Sequence, residues 1–420
     1  MQNKNAVVTN FLMHLHPKTV NMQAVKFTRT FGLGGINALL FVILATTGLL
    51  LRFSYVPTPN DAYNSILSLQ NNSIFGSLLR NIHHWSAILM VVTAFLHLLR
   101  VFYTGSIYYE RKKNWHYGLA LFALVLAFNF TGYLLPWDQL SFWAVTIMTN
   151  ILEYIPFIGN GFASLIRGGE TVNGNTLLNF YNFHTALLPL LFVVFMVIHF
   201  WLVRKAKGVT VANNTNKITV KVNPDLIRKE IITALVLLVS ILLFSIFFDA
   251  PLLEKANPLV SPNPSKAPWY FMGIQELLIN LHPVFVSSII PILVIIFFIY
   301  ISKLQINKDK IGVWFYSKEG RKIIIVSAIF ASILVKVLTI SFEYFINLST
   351  LNIPLYISTG IIPLFMYLIP ISVFIFYLKF IKKANKTELV LALVTILFTS
   401  YLVMSFVGIC LRGDAMHLIF

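Results

Sequence analysis

The sequence predicts an all-α, polytopic membrane helical bundle, and three observations carry that expectation. The chain is 57% hydrophobic and 11% charged, with mean hydropathy +0.78, too apolar for a soluble domain of 420 residues. Nine apolar runs fall at about 32–54, 78–103, 115–135, 180–203, 229–249, 284–304, 322–346, 357–381 and 387–409, each long enough for roughly 30 Å of hydrocarbon. Basic residues gather in alternate loops, so the net charge of +17 reads as membrane topology and not as a nucleic-acid footprint.

Residues 1–30 carry Lys4, His14, His16, Pro17, Lys18, Lys26 and Arg29 without a short apolar core, which predicts a surface or interfacial segment and no signal peptide. The loops with Arg111 to Lys113, Arg204 to Lys207 with Lys217, Lys221, Arg228 and Lys229, Lys303 to Lys322, and Lys379 to Lys386 share the side of the N-terminus. The opposite loops hold Asp61, Asp138, Glu153, Glu170, Asp249 and Glu254. The N-terminus is therefore expected on the negative side of the membrane. One cysteine, Cys410, excludes an internal disulfide and a cysteine-held iron–sulfur cluster within the chain.

Two loops on the positive side have unusual chemistry. Thr131 to Gln139 includes Tyr133, Pro136, Trp137 and Asp138, and leads into an amphipathic stretch to Arg167 that Pro156, Gly159 and Gly161 interrupt, so it is expected to lie along the surface. Residues 262–278 place Pro262, Pro264 and Pro268 before Trp269, Tyr270, Phe271, Gln275 and Glu276. Irregular backbone at membrane depth is tolerated where it lines a cavity, so the two loops are expected to wall a pocket.

The second and fourth runs carry paired histidines. His83 and His97 are 14 positions apart and His184 and His199 are 15 apart, about 21 and 22 Å on a helix, and each pair returns near one face. Polar side chains inside a bilayer are costly, so four at matched depths need a reason. Two facing helices would offer two His-plus-His sites, one above the other, which is what a low-spin electron-transfer haem needs at each iron. Single histidines bonded to neighbouring helices would not match in depth, and zinc would want converging ligands. His84 competes with His83. His116, His282 and His417 have no partner at matching spacing and read as surface or interfacial residues.

Glycines repeat the interval. Gly34 and Gly48 in the first run and Gly118 and Gly132 in the third are each 14 apart, which would let a porphyrin approach the backbone where a Cβ would clash. Close packing through small residues is the alternative.

These four histidines and four glycines, together with Arg80, Arg100 and Pro136-Trp137, resemble the cytochrome b subunit of bc-type complexes, over residues 1–280. The 15-residue step, Pro136 to Gln139 and Ile166 to Gly168 look like the b6-type branch, with a region similar to its separate small subunit fused from about 222. The resemblance implies a haem-binding four-helix bundle at 31–208, a quinol-site region at 209–310 and additional helices at 311–420. It implies that His83 and His184 ligate a positive-side haem b and His97 and His199 a negative-side haem b. Arg80 and Arg100 would pair the propionates, with Trp115 assisting, unless the arginines only snorkel at helix ends. Quinone would contact Tyr133, Pro136, Trp137, Pro268, Trp269 and Tyr270 on one side, and lie near Arg204 and Asp225 on the other.

Two departures alter these expectations. The family's Pro-Glu-Trp-Tyr reads Ala267-Pro268-Trp269-Tyr270 here, and proline takes no proton, so Glu276 and then Asp138 are the substitute bases. Gly32 stands where the b6 branch has a haem-linking cysteine, so no covalent haem c is expected. The resemblance further implies a quinol–cytochrome c oxidoreductase active only within its complex, with a Rieske iron–sulfur protein, c-type cytochromes and a homodimeric assembly. The setting would be a multi-pass protein of a bacterial cytoplasmic membrane rather than a mitochondrial one. The alternative is a two-haem anchor linking the quinone pool to a peripheral dehydrogenase or reductase.

Overall fold

A computed structural model describes residues 18–212, 218–348 and 352–419; His14 and His16, and most of the expected 1–30 surface segment, lie outside them. Helices dominate. A two-stranded antiparallel sheet pairs β1 (Thr19–Asn21) with β2 (Thr219–Lys221). The helices used below are α1 (Leu33–Arg52), α2 (Ala62–Asn72), α3 (Gly76–Tyr103), α4 (Lys112–Leu134), α5 (Gln139–Leu152), α6 (Gly159–Arg167) and α7 (Gly174–Lys205). They continue with α8 (Ile227–Phe247), α9 (Met272–Asn280), α10 (Phe285–Ile301), α11 (Lys318–Tyr344), α12 (Ile357–Ile381) and α13 (Lys386–Cys410).

Eight of the nine expected spans form helices of at least 20 residues among the described residues. The ninth, expected over 284–304, is the shorter apolar helix α10, roughly 25 Å long at 1.5 Å per residue. Pro283 precedes its first turn, and the chain leaves the helix after Ile301. The stretch after Trp137 forms two short helices, α5 and α6, and the break between them holds Pro156, as the interrupted pattern required.

The chain divides into two compact units. The first comprises the described residues up to Trp137, Leu177–Leu252 and Ser302–Tyr316. In it α1 packs on α3, α3 on α4, and α4 on α7, with α8 against α1 and α3. Midway along the bundle the Phe41 and Phe192 rings stack at 4.5 Å, Phe128 meets Phe192 edge-on at 5.9 Å, and Met90 and Val125 are buried beside this level. The segment 302–316 caps the end of α3: Gly312 and Phe315 donate backbone N–H groups to the Thr104 and Tyr103 carbonyls, and the buried Tyr316 hydroxyl donates to Phe102. Burial pushes the Tyr316 phenol well above its ordinary pKa.

The second unit comprises Asp138–Thr176, Leu253–Ile301 and residues from Ser317 on. Here α11 and α9 pack on α13, and α5 on α6. Gly273 lets α9 approach Tyr401, since a Cβ there would meet its ring at 2.8 Å. An Asn385–Glu388 capping box starts α13. The units interleave along the chain, so the linear divisions at 209–310 and 311–420 do not coincide with them: α8 and 302–316 pack in the first.

Candidate functional site

The first unit brings His83 and His184 together and sets each of the four histidines against a glycine. The His83 and His184 ring centres lie 6.2 Å apart at 69°. Two metal–imidazole bonds of about 2 Å each, plus roughly 1 Å from ring centre to nitrogen at each end, give the same separation. His97 and His199 lie 14 and 15 residues further along the same two helices. All four rings are only half-buried.

Each histidine faces one glycine. A Cβ on Gly132 would lie 2.7 Å from His184 Cε1, one on Gly48 3.2 Å from His83 Cε1, one on Gly34 3.5 Å from His97 Cε1 and one on Gly118 3.6 Å from His199 Cε1. The matching 14-residue intervals therefore come from α1 lying against the α3 histidines and α4 against the α7 histidines. The glycines make room for the imidazoles themselves, which sets the ring orientation.

Two threonines fix the tautomers of His83 and His184, the upper level of the bundle. Thr47 Oγ1 donates to the Ile43 carbonyl at 2.7 Å, so it accepts from His83 Nδ1–H at 2.9 Å. His184 Nδ1–H donates to the Phe128 carbonyl at 3.1 Å and lies 3.2 Å from Thr131 Oγ1, which itself donates to Ala127. Holding the proton on Nδ1 leaves Nε2 of both rings as a free lone pair, the form a metal binds. The donor set and spacing thus fit a bis-imidazole haem. Sequence reasoning missed the threonines, although Thr-Gly recurs at 47–48 and 131–132.

His84 is not part of either pair; its ring packs edge-on against Trp85. Arg80, expected at a propionate, is buried and donates to the Ala250 and Pro251 carbonyls at 2.7 and 2.6 Å. Arg100 Nε donates to the Arg29 carbonyl at 2.9 Å. Trp115 is buried in α4. Tyr133, Pro136 and the buried Trp137, whose φ is +54°, end α4 in the first unit, whereas Pro268, Trp269 and the buried Tyr270 precede α9 in the second. Arg204 lies over the Trp201 ring at 5.8 Å, and Asp225 is 4.0 Å from Arg228; neither distance joins Arg204 to Asp225.

Neither substitute base is presented as an open carboxylate. Asp138 caps α5: one oxygen accepts from Ser141 N–H at 2.9 Å and the other from Leu253 N–H at 3.3 Å. Glu276 is buried with both oxygens on Arg412, one to Nη2 and the other to Nε at 3.1 Å. Arg412 also donates to Glu343 at 2.6 Å and to the Met416 carbonyl at 2.9 Å. Burial pulls the Arg412 pKa down, but Glu276 and Glu343 more than offset it and hold the guanidinium above its ordinary value. His417, expected at a surface, is largely exposed and lies 3.0 Å from Glu343. His116 lies 3.0 Å from Ser302, and the His282 ring meets Tyr154 edge-on at 5.8 Å.

Eight helices long and apolar enough to cross a membrane, with histidines at two levels of one bundle, define the class as a multi-pass helical membrane protein. Residues 19–207 match the family model described as cytochrome b/b6/petB. The chain is 43% identical over 173 residues to the cytochrome b6 of Acaryochloris marina and to that of Synechococcus elongatus, covering 41% of this chain and 80% of each relative. Cytochrome b6 of Prochlorococcus marinus strain MIT 9515 matches at 43% over 79% of its length. A chain of the solved structure described as hyperthermophilic respiratory complex III matches in fold with TM-score 0.69 at 21% identity, over 96% of this chain and 97% of that one. The chain belongs to the cytochrome b/b6 family, which implies haem b and a place in an energy-converting membrane.

Proposed function

We propose that this chain is the two-haem cytochrome b of a quinol–cytochrome c oxidoreductase. The observation that carries the reading is the set of four glycine–histidine contacts at two levels of one bundle. His83 with His184, and His97 with His199, would hold the two groups; haem b, when bound, supplies one-electron transfer without an open iron position. The upper-level residues contribute by holding the proton on Nδ1 through Thr47, Thr131 and the Phe128 carbonyl. Arg80 and Arg100 are proposed to meet propionates by exchanging their present backbone carbonyls.

Quinol is oxidised on the positive side, the side of His83 and His184, and electrons leave toward quinone on the negative side near Arg204 and Asp225. Tyr133, Pro136 and Trp137 in the first unit, and Pro268, Trp269 and Tyr270 in the second, are the proposed quinone-contacting residues. The N-terminus lies on the negative side, and the membrane is a bacterial cytoplasmic one. The partners are a Rieske iron–sulfur protein and c-type cytochromes, in a homodimeric complex. Moving charge across the membrane stores about 2.3 kcal/mol per charge per 100 mV.

The likeness to a chain described as respiratory complex III supports this assembly over a two-haem anchor for a peripheral dehydrogenase. Purification from its native membrane, with subunit identification and a quinol–cytochrome c assay, tests it. Copurification of an iron–sulfur protein with quinol-dependent cytochrome c reduction is expected; a dehydrogenase partner and no such activity would favour the anchor.

A further inference from the structure

The helix that carries His184 and His199 is not α-helical throughout. At Phe183–Leu187 it widens into a π-turn, in which Leu188 N–H donates to the carbonyl of Phe183, five residues back. His184 lies inside this turn. Pro189 follows two residues after it, and with no N–H it cannot complete the bond to the Thr185 carbonyl, which its ring would crowd in a regular helix. Widening the preceding turn relieves that crowding.

The same arrangement recurs where no histidine is involved. The π-turn Phe285–Ile289 is followed by Pro291, and the π-turn Ile357–Ile361 by Pro363, each proline two residues after the turn. The π-turn Tyr377–Ile381 has no proline after it and Pro370 sits in regular helix, so the pairing is recurrent without being obligatory, and it forms without a histidine.

Its effect at His184 is geometric. On regular helices the 14-residue step of α3 leaves its histidines about 40° apart to one side, whereas the 15-residue step of α7 leaves its pair about 60° apart to the other, a mismatch of about 100°. A π-turn takes in one more residue per turn and so removes one residue's rotation. With the turn in place, α7's 15 residues behave as 14, and His184 meets His83 at 6.2 Å.

We propose that Pro189 is the positioning residue for the His83–His184 haem site: it fixes the π-turn that brings the longer histidine step of α7 into register with α3. This rests on the two-haem reading above and adds to it a determinant outside the ligand set. Loss of the turn would rotate His184 by about 100° relative to His199, while the lower pair, on regular helix, would keep its geometry.

The test compares Pro189→Ala, Pro189→Ala combined with deletion of Ala186, and Pro363→Ala in the membrane-expressed full chain. Haem content, the potentiometric difference spectrum and the low-temperature EPR of each haem are the readouts. Pro189→Ala is expected to lose or shift the signature of one haem, halving the haem content in the limit, while the other haem keeps its potential and g-values and reports a folded bundle. Deleting Ala186 makes the step 14 and is expected to restore the lost signature. Pro363→Ala, the same change at a turn without a histidine, is expected to leave both haems unchanged.

Unaltered spectra, potentials and g-values of both haems in Pro189→Ala would overturn the proposal, as would a deletion that deepens the defect while the second haem persists. Equal loss of both haems in Pro189→Ala would also overturn it, since the effect would not be confined to His184. A wild-type chain without two b-type signatures would instead refute the two-haem reading, so the two failures are distinguishable.

Discussion

The two compact units bury polar side chains by opposite strategies. In the first, His83 and His184 sit in an apolar bundle with Nδ1 hydrogen-bonded and Nε2 left as a lone pair, and glycines withhold the side chains that would otherwise fill the space. In the second, the buried charge of Arg412 is spent on Glu276, Glu343 and a backbone carbonyl. One unit leaves valences open to receive a group; the other closes them on itself. Buried polar atoms therefore mark a binding site only when their partners are incomplete.

The largest effect expected from breaking this contrast is at the ligands. His184→Leu should remove one of two haems while leaving the second, measured as haem per chain and as the difference spectrum. His84→Leu should remove neither, because its ring faces Trp85.

Next come the glycines, which should rank by the space each provides. Gly132→Ala, with a Cβ 2.7 Å from the His184 ring, is expected to disturb the upper haem most, Gly48→Ala at 3.2 Å less, and Gly34→Ala and Gly118→Ala at 3.5 and 3.6 Å least. Shifts in haem midpoint potential check the order, and an inverted series would mean that the glycines serve helix packing alone.

In the second unit, Arg412→Met leaves Glu276 buried without its partner and should cost about 3–5 kcal/mol of stability. The double change Arg412→Met with Glu276→Leu should recover much of it, since no buried charge remains. Thermal unfolding in detergent reads both, and neither variant should alter the haem spectra. The smallest effect is expected at the exposed Asp225–Arg228 contact, where Asp225→Asn should shift stability by about 1 kcal/mol or less. A larger change in quinone reduction than in stability would instead support Asp225 at the quinone site.

What the sequence made legible follows from periodicity. Histidines and glycines at matched intervals specify which helix faces meet, and α3 against α1 and α7 against α4 realise them. The Glu276–Arg412 pair joins residues 136 apart in sequence with no repeat to flag it, so the partner of Glu276 was not legible. The π-turn at His184 was foreshadowed only by a 15-residue step beside a 14-residue one, and the backbone had to be seen before that difference acquired a cause. Thr47 and Thr131 were hidden because threonine is common in apolar helices, where it bonds its own backbone.

The most direct measurement is a potentiometric redox titration of the purified full chain, followed in the visible spectrum alongside its haem content. Two b-type haems per chain with separable midpoint potentials are expected, one abolished by His83→Leu or His184→Leu and the other by His97→Leu or His199→Leu. A single haem, or two that are lost together whichever pair is altered, would contradict two stacked histidine sites.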